Sequence, residues 1–251
     1  EFELLYRSSK PYRDYCKRKN LTPETITGWE KIPAVSSFAF KKTLFSSSSV
    51  PDAEEFYYSS GVVELEHKRV PIFPDKNTVA LTAAANGLLA KTFLFSDAER
   101  ITMLLAVPSP IMAPGMVMAS GLKRLMQLFG TPDSRFLISF RGLELKALVN
   151  ALRRSEKMCQ PVALIGATFV IDYFLDACKK EGIRFHLPEG SRICDSGGYM
   201  GRYVKCTKEE YFRKCKEILA VGEDACINAL WICESNTVYF DNVLKNSFLV
   251  S

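Results

Sequence analysis

The sequence predicts an α/β fold, a mostly parallel sheet flanked by helices. Three observations carry the expectation. Short apolar runs alternate with amphipathic segments from residue 101 onward, at lengths that suit buried strands and covering helices. The connecting segments are long enough to cross over between parallel strands rather than turn back as hairpins. The chain of 251 residues, 47% hydrophobic, has enough apolar surface for one large domain or two modest ones. A sheet built this way is covered on both faces, which explains why its strands read as continuous apolar runs.

The elements follow in order. Residues 1–50 read as an irregular helical cap, and 51–251 as an α/β nucleotide-binding domain. Pro11-Tyr12 interrupts an aromatic-rich opening, and Leu21-Thr-Pro-Glu-Thr25 predicts a helix start, with Thr22 as cap and Pro23 in the first turn. Residues 32–41 read as extended and run toward the polar joint Ser46-Ser-Ser-Ser49. An Ala/Leu-rich helix is expected over 77–92 despite Gly87. It is followed by a strand at 101–107, a helix at 116–129, a strand at 136–140 and a helix at 143–154. Val162 to Gly166 reads as a strand. The next helix, 168–180, places Phe169, Tyr173, Phe174 and Ala177 on one face and is stopped by Gly182 after Lys179 and Lys180. Another strand ends at Asp195. Thr207-Lys-Glu-Glu210 is a capping box opening a helix to Leu219, and strands at 226–232 and 238–240 close the pattern.

Composition excludes several classes of function. The net charge of +5 comes from 33 basic and 28 acidic residues without a long run of either sign, so no nucleic-acid or membrane patch is expected. No apolar run is long enough to span a bilayer, and Glu1-Phe-Glu-Leu-Leu5 lacks a signal-peptide pattern, which makes a cytoplasmic site the expectation. The absence of an initiating Met suggests a piece of a longer chain. The eight cysteines form no Cys-x-x-Cys and fall mostly in apolar or amphipathic segments, as reduced structural thiols do. The two histidines, His67 and His186, form no helical pair for zinc, and His186 is expected to pack at the end of a short strand.

In an open α/β sheet, ligands bind where the carboxyl ends of the strands meet their loops. Three such loops stand out here: Gly166-Ala167, Asp195-Ser-Gly-Gly198 and the stretch from Ile232 to Glu234. Gly197 and Gly198 can take positive φ and leave bare backbone, which serves either a tight turn or a loop against which a purine or phosphate lies. Asp195 reads as a capping or turn residue and Glu234 as a surface carboxylate after a strand. Neither Gly-x-x-x-x-Gly-Lys-Ser/Thr nor Gly-x-Gly-x-x-Gly occurs.

Taken in order, several segments carry a resemblance over nearly the whole chain. They are Leu21-Thr-Pro-Glu-Thr25, Trp29-Glu-Lys-Ile-Pro-Ala-Val35 with Phe40-Lys41, Pro161-Val-Ala-Leu-Ile-Gly-Ala-Thr-Phe169, and Arg184 to Arg202 with its Asp195-Ser-Gly-Gly198. Together they resemble the acyl-protein synthetase family within the adenylate-forming ligases, which activates long-chain fatty acids in bacterial bioluminescence.

The resemblance implies the large amino-terminal part of such a ligase. It also implies ATP and Mg as cofactors, a fatty acid substrate, acyl transfer to a protein thiol, and acyl-transferase or reductase partner proteins. It places the triphosphate at Ser59-Ser60-Gly61, the nucleotide against Asp195, Ser196, Gly197 and Gly198, a cation at Arg202, and a catalytic magnesium-holding carboxylate at Glu234. Hydroxyls and backbone N–H groups suit a phosphate, and a hard divalent cation suits one carboxylate plus phosphate oxygens. Phe169, Tyr199 and the Met116 to Met118 segment would line an acyl tunnel.

The chain departs from the family pattern at two places. After Gly61 it reads Val62-Val-Glu-Leu-Glu-His-Lys-Arg69, where Glu64 and Glu66 oppose phosphate and only Lys68 and Arg69 restore charge. The stretch Leu230-Trp-Ile-Cys-Glu234 keeps the acid but replaces the family's aromatic, glycine and threonine. A carboxy-terminal portion with a catalytic lysine and an acceptor cysteine is expected to be missing. These departures leave open a second class, a non-catalytic acyl- or nucleotide-binding subunit of a fatty-acid-processing assembly.

Overall fold

The computed structural model describes residues 2–36, 39, 55–58, 71–199, 206–232 and 237–241. They divide into two compact units, one built around Glu1–Leu81 and the other around Thr82–Ile232.

The first unit opens with two helices, α1 (Phe2–Ser8) and α2 (Lys10–Arg18). Pro11 falls in the first turn of α2, where its missing N–H costs nothing, so it starts a helix instead of merely interrupting the segment. Tyr12 and Tyr15 leave α2 to donate to the carbonyls of Pro33 (3.2 Å) and Ala34 (2.8 Å), tying the residues before Ser36 to the helix. Thr22 and Pro23 do not begin a helix. The chain closes a turn in which Thr25 N–H donates to the Thr22 carbonyl, because no apolar periodicity follows to extend it. Two short strands, β1 (Tyr57–Tyr58) and β2 (Pro71–Ile72), pair antiparallel.

In the second unit, a strand order of β5-β4-β3-β6-β7-β8-β9 forms one seven-stranded sheet. These strands are β3 (Thr102–Pro108), β4 (Arg135–Ser139), β5 (Gly142–Leu143), β6 (Val162–Ala167), β7 (Arg192–Ser196), β8 (Cys226–Ile232) and β9 (Thr237–Asp241). The five from β4 to β8 run parallel, while β5 and β9 are antiparallel edges.

The helices are α3 (Lys76–Phe93), which begins in the first unit, α4 (Val117–Phe129), α5 (Leu145–Met158), α6 (Thr168–Lys180) and α7 (Lys208–Leu219). From β3 the chain moves outward to β4 through α4. It then returns across β3 to β6 through α5 and continues in the opposite direction through α6 and α7. Right-handed crossovers require these two directions to use opposite faces of the sheet.

Alternate side chains of each central strand accordingly enter two cores. Leu104, Ala106, Leu164 and Ile193 pack under Leu148, Leu152, Phe174 and Ile218 of α5, α6 and α7. Met103, Leu105, Ile165 and Cys194 pack under Leu94, Leu122 and Leu125 on the α3/α4 side. The capping box is present, with Glu210 N–H donating to Thr207 Oγ1 at 3.2 Å, and Gly182 turns the chain out of α6 with φ +66°.

Two polar ties fix the periphery. Arg192, at the start of β7, makes paired 2.7 Å bonds to both oxygens of Asp97 and a 2.6 Å bond to the Leu94 carbonyl. On the edge strand, Val238 N–H donates to Asn86 Oδ1 of α3 at 3.1 Å. His186 is not a packing residue: its side chain is 87% exposed, because Phe185 and Leu187 turn into the core on either side of it. Among the described residues, no helix is long and apolar enough to cross a membrane.

Candidate functional site

The order of the parallel strands reverses direction between β3 and β6. At such a switch point the helices that follow the two strands leave on opposite faces, and a crevice opens at the carboxyl ends. At this rim the backbones are in close contact, with Gly166 near the end of β6 paired beside Ala106 of β3. A Cβ built on Gly166 would come within 2.7 Å of the Ala106 Cβ and 2.8 Å of its carbonyl oxygen.

One strand over, Asp195 ties the start of α6 to the neighbouring strands β7 and β8. Thr168, the first residue of α6, donates from Oγ1 to Asp195 Oδ2 at 2.6 Å and lies 3.2 Å from the Ser196 carbonyl. Asn228 of β8 directs its amide at the Asp195 carbonyl and at Oδ2, both at 3.2 Å. Asp195 is thus a buried strand residue and not a turn residue. Burial pushes its carboxyl above the usual range, although the bonds from Thr168 and Asn228 pull the other way.

Ser196 ends β7, buried, and the two glycines follow with φ of +77° and +58°. A Cβ on Gly198 would meet nothing within 4 Å, so the loop presents bare backbone to open space. Tyr199 then turns inward, its hydroxyl donating to Asp172 Oδ2 of α6 at 3.0 Å.

Asp195, Ser196, Gly197 and Gly198 therefore stand at the carboxyl end of β7, with Thr168 and Asn228 at their root. Ser59, Ser60, Gly61, Arg202 and Glu234 lie outside the described residues, as do Lys68 and Arg69. Among the described residues, no group of three or more His, Cys, Asp or Glu side chains could hold a metal ion. Of the tunnel residues, Met118 is committed to the α3/α4 core, and Phe169 and Tyr199 are half-buried. Trp231 faces the same core and lies against Gly121, whereas Leu230 and its cross-strand partner Tyr239 stay exposed on the face shared with Asn228. A shallow groove bordered by Thr102, Asp133, Arg135 and Arg154 lies at the opposite rim, by the amino ends of the strands.

Sequence reasoning missed Thr168, Asn228 and the Asp172 cluster. Their signals were present: an Asn inside an apolar strand, and a Lys at position 214 on the same helical face as Tyr211 and Ile218.

Sheet order, covered faces and the glycine loop at the switch-point rim define an open α/β domain of the kind found in adenylate-forming ligases. Two solved structures share the fold. One is an open conformation of 2-hydroxyisobutyryl-CoA ligase in complex with 2-HIB-AMP and CoA, at TM-score 0.63 and 8% identity, over 92% of this chain and 47% of that one. The other is a long-chain-fatty-acid-CoA ligase (FadD1) from Archaeoglobus fulgidus, at TM-score 0.52 and 10% identity, over 76% of this chain and 33% of that one. The chain thus spans about half of the first ligase and a third of the second. No curated protein sequence matches it. The family described as acyl-protein synthetase, LuxE, matches residues 1–246, and the chain belongs to that family.

Proposed function

We propose that this chain is the nucleotide-binding part of an ATP-dependent acyl ligase that joins a fatty acid to AMP and passes the acyl group to a protein thiol. The observation that carries this reading is the Gly197-Gly198 loop, which sits at the carboxyl end of β7 with two successive positive φ values and open space beside Gly198. Family membership supports it, and the first of the two fold neighbours carries an acyl-AMP.

The described residues suit a nucleotide. Bare backbone at Gly197 and Gly198 admits a flat base or a phosphate, and Thr168 and Asn228 hold the root of that loop through Asp195. Leu230 and Tyr239 add exposed apolar surface on the Asn228 face. Bound ATP supplies an electrophilic α-phosphorus and a pyrophosphate leaving group. This chain's share of the work is positioning and charge neutralisation. By the family resemblance, Ser59, Ser60 and Gly61 would hold the triphosphate, Arg202 would supply positive charge, and Glu234 would hold magnesium.

None of the described cysteines is assigned as acyl acceptor. Cys16, Cys178, Cys194, Cys215 and Cys226 are buried, and burial pushes the Cys178 thiol up to about 11, far from a reactive thiolate. The acceptor, and any acyl-transferase or reductase that consumes the product, is assigned to a separate protein or segment.

Exchange of labelled pyrophosphate into ATP, measured with magnesium and a long-chain fatty acid, tests the reading. Fatty-acid-dependent exchange that disappears in Glu234→Ala without loss of folding is the expected result. Absence of exchange together with absence of ATP binding would favour the non-catalytic subunit, the reading supported by the substitutions around Glu234.

A further inference from the structure

The side chain of Asp172 on α6 is entirely enclosed, at 0% exposure. A carboxylate out of water must be neutralised and hydrogen-bonded, or it becomes a large liability. Its two oxygens are served by different parts of the chain. Lys214 of α7 brings Nζ to 2.7 Å from Oδ1 and makes a second 2.7 Å contact to Asp176. Burial works against the Lys214 ammonium, but the bonds to the two carboxylates outweigh it and raise its pKa, so the ammonium keeps its proton. The other oxygen, Oδ2, accepts from the Tyr199 hydroxyl at 3.0 Å and lies 3.5 Å from Cys206 Sγ, and Tyr199 and Cys206 are themselves 2.9 Å apart.

Lys214 already neutralises the charge, so the Oδ2 contacts are not required for that purpose. Both come from residues flanking one stretch of chain. Tyr199 follows the glycine pair directly, and Cys206 precedes Thr207, the cap of α7. Glycine has no steric preference for positive φ, and nothing within Gly197 and Gly198 keeps them at +77° and +58°. Their shape has to be imposed from the two ends. At the Ser196 end this is done by Thr168, and at the Tyr199 end by Asp172.

We propose that Asp172 is a positioning residue for the nucleotide loop: through Tyr199 and Cys206 it fixes the backbone of Gly197 and Gly198 in the shape that receives ATP. The proposal rests on the nucleotide-binding reading above. The ion pairs of Lys214 to Asp172 and Asp176 join α6 to α7 whether or not Tyr199 takes part. Removing the Tyr199 hydroxyl therefore separates loop positioning from helix packing.

The test uses the full chain, its Tyr199→Phe variant and a double variant that adds Cys206→Ala. ATP affinity with magnesium is measured by calorimetry, and hydrogen exchange at the amides of Gly197 and Gly198 is measured without nucleotide. The double variant is expected to bind ATP about tenfold more weakly and to exchange those amides about tenfold faster, the scale of one hydrogen bond to a charged group. A lower melting temperature with unchanged exchange and unchanged ATP affinity would overturn the proposal and leave Asp172 a helix-packing residue. Faster exchange in the variants of a chain that binds no ATP would uphold the clamp on the loop and remove the ligase reading instead.

Discussion

The hydroxyl of Thr168 lies 2.6 Å from Oδ2 of Asp195, so the first turn of α6 is fastened to the carboxyl end of the neighbouring strand β7. Thr168→Val keeps the shape and removes this donor from a buried carboxylate. The expected cost is about 1–3 kcal/mol of unfolding free energy, measured by urea titration at neutral pH.

Asp195 itself sets a pH dependence. Burial raises its carboxyl above the unfolded value, so between those two pKa values the folded state holds more proton than the unfolded state. Its contribution to stability is therefore complete below about pH 4 and is lost as pH rises through the folded pKa. Asp195→Asn removes this dependence. Relative to the variant, the wild type should lose stability as pH climbs above about 4, through the raised folded pKa. A flat difference between paired urea titrations over that range would show that Asp195 does not carry the effect.

Gly121 on α4 is where the Trp231 indole comes to rest. A Cβ on Gly121 would sit 2.4 Å from one ring carbon and 2.8 Å from the next. Gly121→Ala should cost about 1–3 kcal/mol as the indole is displaced. The chain has two tryptophans, and Trp29 is 78% exposed, so a shift in the blue part of the emission reports on Trp231.

Arg192→Lys tests geometry at constant charge. Lysine cannot reproduce the paired bonds to Asp97 together with those to the Leu94 and Gly190 carbonyls. A loss of about 1–3 kcal/mol is expected in denaturant titration.

Gly198→Ala separates conformation from ligand contact. The left-handed φ of +58° costs alanine about 1–2 kcal/mol, while the added methyl touches nothing in the structure. ATP affinity in the calorimeter should fall by about tenfold or more if the nucleotide rests on this backbone. Unchanged affinity would place the nucleotide elsewhere.

The layered fold could be read from the sequence because burial on both faces of a parallel sheet writes itself into local composition. Met103 through Val107 and Val162 through Ile165 are unbroken apolar runs, and Thr207 to Glu210 announces its own cap. Local signals misled where tertiary context was missing. Thr22-Pro23 has the chemistry of a helix start but no amphipathic stretch behind it, and His186 gives no hint that its two neighbours will claim the core. The two-residue strand β5 is too short to leave a pattern. At the site, the glycine pair was legible because glycine is the residue such a backbone requires. The bonds that hold it were not, since Thr168 and Asp195 are 27 positions apart and Asp172 and Lys214 are 42. Only the fold brings these partners together.

The bond from Val238 to Asn86 spans 152 positions and joins the helix that leads into the sheet to its last strand. During synthesis, α3 therefore emerges well before the strand it is bonded to, and a polypeptide cut short before residue 237 keeps β8 as an unfinished border with nothing laid along it. The α/β unit of nascent chains should accordingly remain sensitive to protease until β9 has left the ribosome, and become resistant once it has paired.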